Sequence, residues 1–121
     1  MEKIQGEYSV CKYSDTPDMS GLKGTFYFTA ATDNEFCLVC LTSLVPNGFI
    51  ACESGWKLMR IAGQLDFSLI GILGKISSQL ALAEVPVFAL STFDTDYIAV
   101  KEDKFVTAVS ALEEGGMVFI N

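Results

Sequence analysis

The feature that most constrains this chain is a switch of apolar period between Trp56 and Lys101. Trp56 to Ile61 is a short run of strand-forming residues, broken by Gly63-Gln64-Leu65-Asp66. From Leu69 the apolar positions are Leu69, Leu73, Ile76, Leu80 and Ala83. That spacing predicts one stripe of an α-helix, with Lys75, Ser78, Gln79 and Glu84 mostly off it. Val85-Pro86 predicts its end, because a residue before proline is pushed towards extended geometry. Val87 to Ser91 resumes as a strand, Thr92-Phe93-Asp94-Thr95 turns, and Tyr97 to Lys101 is again rich in strand formers. Phe105, Ala108, Val109 and Leu112 then mark a second amphipathic helix, with Glu102 and Asp103 at its positive end. Gly115-Gly116 is a helix-stop signal, and Met117 to Ile120 is expected as a closing strand. The predicted class is α+β, with the ferredoxin-like order βαββαβ and two helices on one face of a four-stranded sheet.

The N-terminal half is strand-rich and has no long periodic helix. Tyr8 to Tyr13 is a candidate strand with Tyr8, Val10 and Lys12 on one face, and Ser14 to Asp18 is a loop. Thr25 to Ala31 and Glu35 to Leu41 are expected to pair as a hairpin across Thr32-Asp33-Asn34. Ser43-Leu44-Val45 suggests one helical turn, and Phe49 to Cys52 one more short strand. The expected division is 1–55 and 56–121. About 55 residues would bury too little surface to stand alone, so the two are expected to form one compact unit.

Bulk chemistry removes several function classes. Half of the 121 residues are hydrophobic and 19% are charged, which suits a packed core. A net charge of −7, from 8 basic and 15 acidic side chains, argues against nucleic-acid and anionic-membrane partners. Histidine is absent. That removes Ser-His-Asp and Cys-His catalysis and His-based metal sites, so no catalytic role, cofactor or metal is expected. The first ten residues lack the apolar core of a signal peptide, and the expected location is the cytoplasm. The four cysteines are accordingly read as reduced structural thiols. Cys37-Leu38-Val39-Cys40 has CxxC spacing, but on a strand residues three apart point to opposite faces.

Ligand chemistry is better supported. Asp66 precedes the first predicted helix, where a carboxylate can cap free amides; such a helix start can equally hold a ligand carboxylate. Gly71 and Gly74 fit either close packing or room left for a ligand. Asp94 is read as a turn residue, whereas Asp96, beside Phe93 and Tyr97, is placed to grip a cation.

The run Leu65-Asp66-Phe67-Ser68-x-x-Gly71-Ile72-Leu73, followed by Ala81-x-Ala83-x-Val85-Pro86-Val87 and Ser91-Thr92-Phe93-Asp94-Thr95-Asp96-Tyr97-Ile98-x-Val100-Lys101, resembles a known family. It is similar to the small bacterial tandem ACT-domain proteins, whose ACT modules resemble those of the CASTOR-type cytosolic arginine sensors. FYFTAATDNEFCLVC, Leu44-Val45-Pro46 and Ser54-Gly55-Trp56 extend the likeness over most of the chain. The resemblance implies two tandem ACT-like units, the first helix-poor, and regulatory binding of a free amino acid at an interface between ACT units. Carried over, it implies Asp66, Phe67, Ser68, Leu69 and Ile72 on the loop and helix side. On the hairpin side it implies Thr92, Phe93 and Asp96, with Asp96 the acceptor for the ligand's cation. A homodimer is expected from exposed sheet edges. The alternative is a ligand-free interaction module acting through dimerisation.

Overall fold

A computed structural model describes residues 1–61 and 71–121. In chain order these form β1 (Glu2–Lys3), β2 (Tyr8–Tyr13), β3 (Tyr27–Ala31), β4 (Phe36–Leu41), β5 (Ala51–Arg60), α1 (Ile72–Leu82), β6 (Val87–Ser91), β7 (Asp96–Lys101) and α2 (Phe105–Glu114). Three-residue 3-10 turns precede β3, follow β4 and lead into α2. The two short strands expected around Cys52 and Trp56 are one ten-residue strand, β5. The chain divides into two compact units, Gly6–Trp56 and Met1–Gln5 with Lys57–Asn121.

The helical unit has the expected α+β, ACT-type plan. Its strands β6 and β7 pair antiparallel from Val87↔Val100 to Ser91↔Asp96, and β7 is the hydrogen-bonded neighbour of β5. Ile76 and Leu80 of α1 and Ala108 and Leu112 of α2 form the core with Met59, Ile61, Ile98 and Val100. These are the helix-stripe and strand positions read from the sequence, buried because both helices bring one apolar stripe to the sheet.

The closing strand differs. Met117 to Ile120 has no strand assignment. The N-terminal β1 pairs with the end of β5, in register Glu2↔Arg60 and Lys3↔Met59. The C-terminal segment instead runs beside Met1, whose ammonium donates to Val118 O at 2.7 Å and whose carbonyl accepts from Ile120 N at 3.0 Å. Asn121 adds a side-chain clasp, accepting from Lys3 N and donating to Lys3 O. Apolar alternation at 117–120 suits an extended segment, but only non-local pairing decides whether it joins the ladder.

Both helices end in the same hydrogen-bond pattern. Glu84 N donates to Ala81 O and Val85 N to Leu80 O; Gly116 N donates to Glu113 O and Met117 N to Leu112 O. This is the six-to-one, five-to-two closure that uses a left-handed residue after the helix. Gly116 adopts it at φ 96, as the glycine pair predicts, whereas α1 places the non-glycine Glu84 there at φ 59.

In the Gly6–Trp56 unit, β2 pairs antiparallel with β4 from Tyr8↔Leu41 to Tyr13↔Phe36 and with the start of β5. The predicted hairpin is present as β3 and β4, in register Tyr27↔Cys40 to Ala31↔Phe36. Here 3-10 turns stand where the other unit has helices, so the core is small: Cys11, Tyr13, Leu22, Leu38 and Cys40. The expected face of Tyr8, Val10 and Lys12 is re-phased. The β2–β5 register shifts between Tyr8 and Val10, so the buried side continues through Cys11 and Tyr13 while Lys12 is exposed.

Candidate functional site

The hairpin between β6 and β7 is built from its threonines. Thr92 N donates to Thr95 O at 2.8 Å, Thr92 Oγ1 to the same carbonyl at 3.1 Å, and Thr95 N to Thr92 Oγ1 at 3.3 Å. A threonine hydroxyl that repeats the backbone's own turn bond fixes this conformation locally. The turn is then tied to β5. Thr95 Oγ1 donates to Ile61 O at 2.9 Å, and Ile61 N donates to Asp96 O at 3.1 Å.

Asp96 opens β7 half-buried, and its Oδ1 accepts a 2.5 Å bond from Ser91 Oγ, its cross-strand partner. One hydroxyl occupies one of the roughly four lone-pair positions of a carboxylate, so acceptor capacity remains. Phe93 stands fully exposed at the hairpin tip. Ile72 opens α1 half-buried, and the N-cap is Gly71 at φ 85, with no side-chain cap bond among the described residues. The expected capping role of Asp66 lies outside the described residues. Among the described residues, a Cβ at Gly71 or Gly74 would meet nothing within 4 Å. The left-handed φ of Gly71 is one that glycine adopts without strain.

Asp66, Phe67, Ser68 and Leu69 lie outside the described residues. Of the expected site, Asp96 is bonded through its carbonyl to Ile61, the residue after β5, and Thr92 closes the turn onto Thr95. Thr95 and Ser91 were not singled out from sequence, although they anchor the turn and the carboxylate. The same bonding recurs at the Thr32 turn of the Gly6–Trp56 unit. Thr32 N and Oγ1 both donate to Glu35 O, and Glu35 N donates to Thr32 Oγ1. The flanking elements are also equal in length: five-residue β3 and β6, six-residue β4 and β7, then a three-residue 3-10 turn. The shared geometry survives with almost no shared residue identity.

Nearby, Arg60 is paired with Glu2. The Glu2 carboxylate takes Arg60 Nε at 2.5 Å and the Tyr97 hydroxyl lies 3.5 Å from Arg60 Nη1. Glu2 first, and Tyr97 after it, hold the guanidinium protonated above its ordinary range. A cleft of about 230 Å³ adjoins the Thr32 hairpin, lined by Asp15, Thr32, Asp33 and Glu35 among others. Among the described residues no group of three His, Cys, Asp or Glu side chains is placed to hold a metal ion. Among them also, no helix is long and apolar enough to cross a membrane.

The helical unit is an α+β fold in which two helices pack on antiparallel strands. The family model of the ACT domain matches residues 51–114, and the chain belongs to that family. The human protein named cytosolic arginine sensor for mTORC1 subunit 1 is 36% identical over 59 residues, 48% of this chain and 18% of that protein. The chain thus spans under a fifth of the curated relatives it matches. Among solved structures, a protein of Agrobacterium tumefaciens is similar with a TM-score of 0.88 and 24% identity, covering 98% of this chain and 90% of that one. An aspartate kinase of Clostridium acetobutylicum gives a TM-score of 0.67 and 12% identity, covering 90% of this chain and 32% of that chain. At these identities the two structures speak to the fold.

Proposed function

We propose that this chain is a regulatory module that senses a free amino acid and catalyses no reaction. The observation that carries this reading is Asp96, held by Ser91 at the mouth of β7 and tied through its backbone to Ile61. An ammonium or guanidinium on that carboxylate would form a charge-assisted hydrogen bond. The start of α1 at Ile72, which no side chain among the described residues caps, suits a carboxylate. An α-amino acid has both charges a few ångströms apart, which favours it over a sugar or nucleotide. In this reading Asp66, Phe67, Ser68 and Leu69 supply the loop wall, and Thr92 and Phe93 border the cationic end. A second copy of the chain completes the pocket in a cytoplasmic homodimer, with no nucleic-acid or membrane partner. The arginine sensor named above is the relative that supports an amino-acid ligand.

A second reading rests on Phe93, whose fully exposed ring at the hairpin tip suits an interaction module that has lost its ligand. Thermal-shift screening with the twenty amino acids separates the two. A ligand that binds only the folded chain raises its melting temperature, and no rise with any amino acid favours the interaction module.

A further inference from the structure

All four cysteines lie in the Gly6–Trp56 unit, and the pair that geometry brings together is not the CxxC pair. Cys37 pairs across the ladder with Lys12 and Cys40 with Ser9, so the two thiols fall on opposite faces. Cys11 and Cys52 instead sit directly opposite one another on β2 and β5, with their sulfurs 3.0 Å apart. Cys11 is 1% exposed, while Cys52 is exposed to solvent. A cleft of about 220 Å³ opens over them, lined by Cys11, Lys12, Cys37, Cys52 and Glu53 among others. One thiol is therefore reachable by a reagent, and the other waits behind it.

We infer that Cys11 and Cys52 form a reversible thiol-oxidation site, closed by exchange with a small-molecule disulfide of the oxidised-glutathione type. Cys52, as thiolate, attacks one sulfur of the reagent; a mixed disulfide forms, and one glutathione leaves with the proton that Cys52 gave up. Cys11 then attacks Cys52 Sγ, the bond to the second glutathione breaks, and that thiol departs with the Cys11 proton. Two protein thiols are oxidised by two electrons, and the reagent is reduced to two thiols. The sulfurs must close by about 1 Å to reach bonding distance, a side-chain adjustment for residues already in register. Entry at Cys52 also fits the other thiols. Cys40 is buried and Cys37 half-buried, whereas Cys52 is exposed, so a reagent meets Cys52 first.

The test uses the reduced full-length chain, incubated with excess oxidised glutathione, quenched by alkylation and mapped by peptide mass spectrometry. The expected product links the peptides containing Cys11 and Cys52, leaves Cys37 and Cys40 alkylated, and reverts with dithiothreitol. Cys11→Ala should stop at the mixed disulfide on Cys52, and Cys52→Ser should take up no glutathione at residue 11. A wild-type chain that stops at a mixed disulfide, links another pair, or keeps all four thiols free overturns the inference. The wild-type map decides the matter even if a variant fails to fold.

Discussion

Thr95 Oγ1 donates a 2.9 Å hydrogen bond to the carbonyl of Ile61, joining the β6–β7 turn to the strand end from which the 62–70 segment departs. Thr95 is 8% exposed, so this bond is made out of reach of most water. It fixes the position of Asp96, the next residue, relative to β5.

Replacing Thr95 with Val keeps the shape and removes the donor. The buried Ile61 carbonyl then loses its side-chain partner, at a cost of about 1–2 kcal/mol. Urea denaturation of Thr95→Val should show that loss, with faster amide exchange at Ile61. An unchanged midpoint and exchange rate would show that the hydroxyl does not anchor the turn.

The helix ends give a prediction of opposite sign. Glu84 takes up φ 59 at the close of α1, where a side chain costs energy and a negative charge faces the negative end of the helix. Glu84→Gly should stabilise the chain by about 0.5–1 kcal/mol, the gain expected of glycine in a left-handed cap. Thermal denaturation of the reduced protein checks this. A lower melting temperature would mean that unfolded-state entropy outweighs the relief of strain.

Alkaline pH should weaken the Gly6–Trp56 unit. Tyr13 is buried, and its hydroxyl donates to Pro46 O at 2.6 Å. Burial, with Cys11 nearby, pushes the phenol up to about 12, and burial with the Cys52 contact pushes the Cys11 thiol up as well. Groups with raised values hold their protons longer folded than unfolded. Stability is thus intact below the ordinary thiol and phenol values and falls as pH rises through the window up to about 12. The Tyr13 part is on the order of 2 kcal/mol. Urea midpoints across that range should decline, and Tyr13→Phe should flatten the upper part of the decline. A flat wild-type profile contradicts the burial argument.

What the sequence made legible were features with local causes. The stripe of Leu73, Ile76 and Leu80 marked α1, Gly115-Gly116 marked the end of α2, and dense β-branched and aromatic runs marked both hairpins. What it hid were outcomes of long-range pairing. β1 pairs with β5 through Glu2↔Arg60, Met117 to Ile120 stays outside the ladder, and Cys11 meets Cys52 across 41 positions of sequence. The register shift near Tyr8 hid the buried face of β2 for the same reason. At the candidate site, Asp96 stood out because a charge beside aromatics is unusual at a strand entrance. Ser91 and Thr95 were silent because serine and threonine in a turn are ordinary until their partners are known.

Asp96 as the acceptor for the ligand's cation is the centre of the proposed function. Calorimetric titration of wild type and Asp96→Ala, with the amino acid that scores in the thermal screen, tests it most directly. Loss of a charge-assisted hydrogen bond should cost about 1.5–3 kcal/mol, roughly ten- to a hundredfold in affinity. The fold should persist, because Asp96 is half-buried at the start of β7 rather than in the core. Equal affinities for the two proteins would contradict the account and leave Asp96 as the cross-strand partner of Ser91 alone.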